Sequence, residues 1–225
     1  MLYNINKVVS SAIFIYYMFL TSLVANEKNN KDLAIHHFMQ GEFLLNQGNY
    51  ALAVLEFQDA LDIDPNAATI HISIADGYRR LGRSKHAENH LEIAITLDSN
   101  DITAREMLGQ LYLLNRQYKL AENQFLALSK IDFNNDNYLS ILGDLAKLQK
   151  EWNKSIDFYL KAYQINPQNF KVLESAMQVC LSVELFKKAE QICKMLVDYN
   201  INNSSYWLTY KQITAYNKNY HNTLN

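Results

Sequence analysis

The 225-residue sequence is poor in the residues that punctuate a chain, with two prolines and six glycines. Sandwiches and barrels need many turns, so this scarcity argues for helices. Two cysteines exclude a disulfide-rich scaffold. An excess of one charge is also missing, because 21 basic residues stand against 23 acidic ones. No basic field exists to hold a phosphate backbone, so nucleic acid is not an expected partner. No glycine-rich phosphate loop and no Gly-x-Ser-x-Gly elbow occurs, so no catalytic residue and no cofactor are expected. The remainder, 49% hydrophobic and 20% charged, is ordinary globular composition and excludes a disordered or collagen-like chain.

One long stretch lacks charge altogether. Residues 8–25 are apolar or neutral, Lys7 precedes them, and a polar segment, 26–32, follows. This layout predicts a signal peptide or a membrane anchor over 1–25, with the rest exported to the periplasm or facing it from the inner membrane. Ala25 suits a cleavage point. Leu23 is larger than such sites prefer, and 18 residues just span a bilayer, so both outcomes stay open.

The few punctuators recur at one period. Gly48 and Gly82 are 34 apart, as are Gly109 and Gly143, and Pro65 and Pro167 are three such periods apart. A small column runs Ala53, Ala87, Ala121, Ser155 and Ala189. Four residues on, Phe57, Leu91, Phe125, Tyr159 and Cys193 form a larger one. Within residues 51–63, Ala53, Phe57, Ala60 and Leu61 share one helical face. Pro65 stops that helix, and Gly48 and Gly82 suit left-handed helix ends.

This pattern resembles the tetratricopeptide repeat family, on Gly41, Ala53, Phe57, Ala60 and Pro65 in the first repeat and Gly109, Tyr112, Ala121 and Phe125 in the third. The resemblance implies an all-α fold, a right-handed α-solenoid of antiparallel helix pairs over 33–225. Five full repeats are expected at about 34–66, 68–100, 102–134, 136–168 and 170–202, with a partial sixth at 204–225. The tryptophan usual near each repeat start is replaced by His37, His71, Arg105, Leu139 and Leu173, and appears only as Trp207.

The resemblance also implies a concave groove, lined by the first helix of each pair, that binds a protein or peptide partner. Three register columns supply its candidate residues. The first contains Glu42, Asp76, Gln110, Asp144 and Gln178. The second contains Leu45, Arg79, Leu113 and Lys147. The third contains Phe38, Ile72, Glu106 and Glu174. The family's asparagine clamp is not expected, since its column reads Met39, Ser73, Met107, Ile141, Ser175 and Thr209.

The implied function is a non-enzymatic scaffold or assembly factor of the cell envelope. The alternative is the interaction portion of a larger peptidase or transferase. His86 and His90 share a helical face but lack a third ligand, so no metal is expected and both read as solvated. Glu88 beside them reads as exposed. Cys180 and Cys193 occupy matched columns, as a disulfide or as two small buried side chains. The last helix is expected to end near Asn217, with a second beginning near Tyr220. That stub is too short to cover the face of Tyr206, Trp207, Leu208, Tyr210, Ile213 and Tyr216, which predicts self-association through the C-terminal end.

Overall fold

A computed structural model describes the backbone of residues 30–223 and the side chains of 30–218. The expected signal or anchor at 1–25 lies outside the described residues. Among those described, every regular element is a helix. They are α1 (30–46), α2 (Tyr50–Ile63), α3 (Ala68–Arg80), α4 (Ser84–Leu97), α5 (Ile102–Leu114), α6 (Tyr118–Ile131), α7 (Asp136–Leu148), α8 (Trp152–Ile165), α9 (Lys171–Ser182), α10 (Phe186–Tyr199) and α11 (Ser204–Thr223). None of these is long and apolar enough to cross a membrane. The chain divides into two compact units, Met1–Ala104 and Arg105–Asn225, with the boundary inside α5.

The turn inside each helix pair is one motif used five times. Gly48, Gly82, Arg116, Lys150 and Glu184, each 34 apart, have φ between 58° and 81°. The next residue's N–H then reaches back five positions, as from Arg83 to the Tyr78 carbonyl and from Glu151 to the Ala146 carbonyl, each 2.8 Å. These bonds satisfy carbonyls orphaned at the helix end. Glycine adopts this conformation without strain, whereas Arg116, Lys150 and Glu184 hold it at a cost. The links between pairs use side-chain caps. Asp98 Oδ1 accepts from the Asn100 N–H at 2.9 Å, and Asn166 Oδ1 from the Gln168 N–H at 3.2 Å.

In unit 1, α2 packs on α3 and α3 on α4. Ala53, Phe57 and Ala60 are fully buried, as are Ala75, Ala87 and Ala94. In unit 2, α7 packs on α8, α8 on α9, and α10 on both α9 and α11. The glycine and aromatic columns meet between the two helices of a pair. A β-carbon on Gly41 would lie 2.5 Å from the Phe57 ring, and one on Gly143 would lie 2.5 Å from the Tyr159 ring. The two columns trade volume. Glycine faces Phe57, Phe125 and Tyr159, whereas Ala75 shares its repeat with Leu91, and Met177 packs in the cluster that holds Cys193. Ser155 fits the small column because its hydroxyl donates to the Gly143 carbonyl at 2.8 Å.

Several expectations need correction. Glu88 is buried, only 9% exposed, and its carboxylate pairs with Lys85 at 3.0 Å. His90 is half-buried against α3, while His86 is exposed as expected. Of the two readings of Cys180 and Cys193 the structure has the second, since both are free and fully buried, and burial pushes the Cys180 thiol up to about 11.

The C-terminal helix does not break near Asn217, since α11 runs unbroken to Thr223. Part of its aromatic face is engaged within unit 2. Ile213 is 5% exposed, Tyr216 stacks on Phe186 with centroids 4.0 Å apart, and the Tyr206 hydroxyl donates to Glu174. Trp207 and Tyr216 nevertheless stay 37% and 48% exposed. Leu208 stays 59% exposed.

Candidate partner-binding surface

All thirteen candidate residues fall on the first helix of a pair, because a 34-residue period returns each column to the same helical face. In unit 1 they lie on α1 (Phe38, Glu42, Leu45) and α3 (Ile72, Asp76, Arg79). Glu42 accepts the Ser73 hydroxyl at 2.7 Å, so it ties α1 to α3. Asp76 accepts from Arg79 Nε at 3.1 Å and from Arg80 Nε at 2.9 Å. Burial alone would raise the Asp76 carboxyl; the hydrogen bonds from Arg80 and Arg79 outweigh it and hold the group below the usual carboxylate range.

In unit 2 they lie on α5 (Glu106, Gln110, Leu113), α7 (Asp144, Lys147) and α9 (Glu174, Gln178). The two glutamates are spent on stacking. Glu106 accepts the Tyr138 hydroxyl at 2.7 Å, and Glu174 that of Tyr206 at 2.5 Å. Each bond spans 32 residues, from one first helix to the next. Burial first, and then the Glu174 carboxylate, push the Tyr206 hydroxyl up to about 12. Asp144 takes the Tyr159 hydroxyl at 2.6 Å and Lys147 at 3.1 Å, yet stays exposed. Gln110 and Gln178 are exposed as well. The surface therefore presents amides and a carboxylate at one column. Each can pair with a peptide backbone, while the neighbouring glutamates hold the repeats together.

Three features escaped the sequence reading. The first is an interhelical seat where the tryptophan column meets a residue 19 positions later. His37 Nδ1 lies 2.8 Å from Glu56 Oε2, and His71 Nδ1 lies 3.0 Å from His90 Nδ1. Arg105 Nη1 donates to Gln124 Oε1 at 3.1 Å in the next repeat. His71 and His90 share one proton, donor to acceptor. Burial, followed by the neighbouring His71 and His86, brings His90 down to about 4, and burial also lowers His71. Rings at 5.2 Å (His71–His90) and 5.8 Å (His90–Tyr78) continue the stack to His86 at 5.0 Å from Tyr78.

The second is Glu122, 2% exposed on α6, which accepts from Lys119 at 2.8 Å and from Lys154 of α8. Burial raises its carboxyl, and the lysine hydrogen bonds more than reverse the shift. The third is a cleft of about 700 Å³ between α10 and α11, rimmed by Lys187, Lys194 and Lys218. Residue types 19 to 32 positions apart announce none of these meetings, but the repeat register, once extended to polar columns, could have aligned the seat.

The comparisons agree with this geometry. A tetratricopeptide repeat profile matches residues 20–68 and 72–137, just over half of the chain. Among solved structures, the crystal structure of MamA superposes with a TM-score of 0.65 at 18% identity, covering 78% of this chain and 96% of that one. YrrB, described as a TPR protein with an unusual peptide-binding site, gives a TM-score of 0.61 at 18% identity, covering 84% and 97%. PilF of Pseudomonas aeruginosa gives 0.56 at 17% identity, covering 84% and 86%. At such identities the likeness is one of fold. A protein O-mannosyl-transferase of Caenorhabditis elegans is 29% identical over 75 residues, which is 33% of this chain and 11% of that protein's length. Helix pairs of one register, a repeated left-handed turn and the profile match lead to one assignment: the chain belongs to the tetratricopeptide repeat family.

Proposed function

We propose that the chain is a non-enzymatic interaction scaffold of the cell envelope that binds partner segments on the exposed columns of its first helices. One observation carries the reading. Gln110, Asp144 and Gln178 occupy one register position on three successive first helices of unit 2, and all three are exposed. Polar groups at a regular interval can satisfy an extended peptide, and nearby Leu113 and Lys147 add specificity. The peptide-binding site named for YrrB supports the same use of the fold.

Photo-crosslinking tests it. Crosslinkers at Gln110 and Gln178 should capture a partner, and crosslinkers at Asn123 and Gln191, exposed on second helices, should not. Equal labelling at all four positions overturns the reading. Export rests on the Lys7-flanked run, which targets residues 26 onward to the periplasm with or without anchoring by 8–25. A reporter active only after export, fused after Lys31, should be active; activity only from a cytoplasmic reporter overturns export. Exposed Trp207, Leu208 and Tyr216 favour self-association through α11. Light scattering checks this, since Trp207→Ser should make the chain more monomeric.

A second reading is that the chain forms the interaction portion of a larger transferase or peptidase. The short match to the O-mannosyl-transferase favours it, and coding sequence for a catalytic domain beyond residue 225 would establish it.

A further inference from the structure

We propose that His37, Glu56 and Asp59 form a binding site for one divalent first-row transition ion, which clips α1 to α2. The two carboxylates stand one turn apart on α2, and His37 reaches them from α1. One ligand atom from each side chain lies within 4.8 Å of the other two, and His37 Nδ1 already sits 2.8 Å from Glu56 Oε2. Ligand atoms at about 2.0–2.2 Å from zinc stand roughly 3–3.5 Å apart. Closing that gap requires the carboxylate of the exposed Asp59 to swing toward the other two ligands.

Electrostatics favours a cation here. Residues 30–64 hold Asp32, Glu42, Glu56, Asp59, Asp62 and Asp64 against one lysine, Lys31. Among the described ion pairs, Glu56 is matched only by His37, and Asp59 by none. The donor set is one imidazole nitrogen and two carboxylate oxygens, with no thiolate. That combination suits Zn²⁺ and its neighbours; Mg²⁺ and Ca²⁺ prefer all-oxygen shells, and Cu(I) prefers sulfur. His37 and Glu56 are partly exposed and Asp59 is exposed, which leaves room for water to complete the coordination.

The register shows why the site belongs to the first pair alone. The same positions one repeat later are His71, His90 and Ile93, which keep two imidazoles and lose the third ligand. Two repeats later they are Arg105, Gln124 and Ala127, which offer a cation and no carboxylate. His37 and Glu56 are 19 residues apart on different helices, so the sequence shows no ligand spacing.

Equilibrium dialysis of the full 225-residue chain against Zn²⁺ tests the site. One equivalent should bind in the micromolar range, with Mg²⁺ in excess failing to displace it. E56Q and D59N should each raise the Kd at least about tenfold, and H71Q should leave it unchanged. Both carboxylates are at the surface, so circular dichroism should show intact helices in E56Q and D59N, and these two decide the matter even if H37Q misfolds. With Co²⁺ as the probe, a visible absorption band should appear in the wild type and disappear in D59N. Absence of micromolar Zn²⁺ binding, or binding lost in H71Q and kept in E56Q and D59N, overturns the proposal.

Discussion

The same interhelical seat is built in opposite ways in the second and the fifth repeat. In unit 1 it holds His37 with Glu56 and then His71 with His90, the latter a pair that must share a proton. In unit 2 its last occurrence holds Leu173 and Ile192, at 0% and 2% exposure in one apolar cluster. The turns differ in the other direction. Unit 1 makes its left-handed residue with Gly48 and Gly82, whereas unit 2 uses Arg116, Lys150 and Glu184. Magnitudes explain why both work. Burying a leucine or isoleucine contributes about 1.5–3 kcal/mol, and a left-handed non-glycine residue costs about 1–2 kcal/mol. The last repeat of unit 2 sets apolar area against its strained turn at Glu184, while the Arg105–Gln124 seat of the same unit stays polar. Unit 1 relaxes the turns and keeps polar seats. Repeat identity is thus a backbone property, and each unit reaches it with different side chains.

The largest expected effect probes the volume exchange beneath both designs. Tyr159→Ala should cost about 3–5 kcal/mol in urea denaturation, as a fully buried ring is lost. Gly143→Ala should cost about 1–3 kcal/mol, since its β-carbon would meet that ring. Combining Gly143→Ala with Tyr159→Leu installs the Ala75 and Leu91 pairing of unit 1. The double variant should be more stable than the sum of its two changes predicts. Strict additivity would show that the columns do not trade volume.

The next effect is pH dependence, and it should separate the units. His90 is lowered to about 4 when folded, against about 6.5 in an unfolded chain. Between those values the unfolded state binds more protons, so stability is full above about pH 6.5 and declines as pH falls toward 4. With solvent screening at this half-buried edge, the loss should be about 1–2 kcal/mol. Replacing His71 with Leu and His90 with Ile, the pair found in unit 2, should remove the decline in that window. Glu122 in unit 2 is also lowered when folded. Its contribution is present above about pH 4.5, its unfolded value, and is lost as pH falls through the lower folded one. Hydrogen exchange read unit by unit should therefore show unit 1 loosening first on acidification.

The smallest effect concerns the turns. A side chain at Gly82 would meet nothing within 4 Å, so Gly82→Ala isolates backbone strain and should cost about 1 kcal/mol. Lys150→Gly and Glu184→Gly should each stabilise by about 0.5–1 kcal/mol. Melting temperatures that move the same way for all three would contradict the contrast between the units.

Sequence periodicity alone determined the helical class and the columns that pack between paired helices. A repeated backbone restores the same environment every 34 residues, and small or bulky residues then collect where backbones approach or part. It also placed the candidate surface residues on first helices. It did not reveal that Glu106 and Glu174 bond to Tyr138 and Tyr206, that Glu88 and Glu122 are buried, or that α11 runs through Asn217. Only the tertiary structure decided these, for a physical reason. A carboxylate on a helix face is solvated or buried according to what a neighbouring helix brings within about 3 Å of it, and that neighbour lies tens of residues away in the chain.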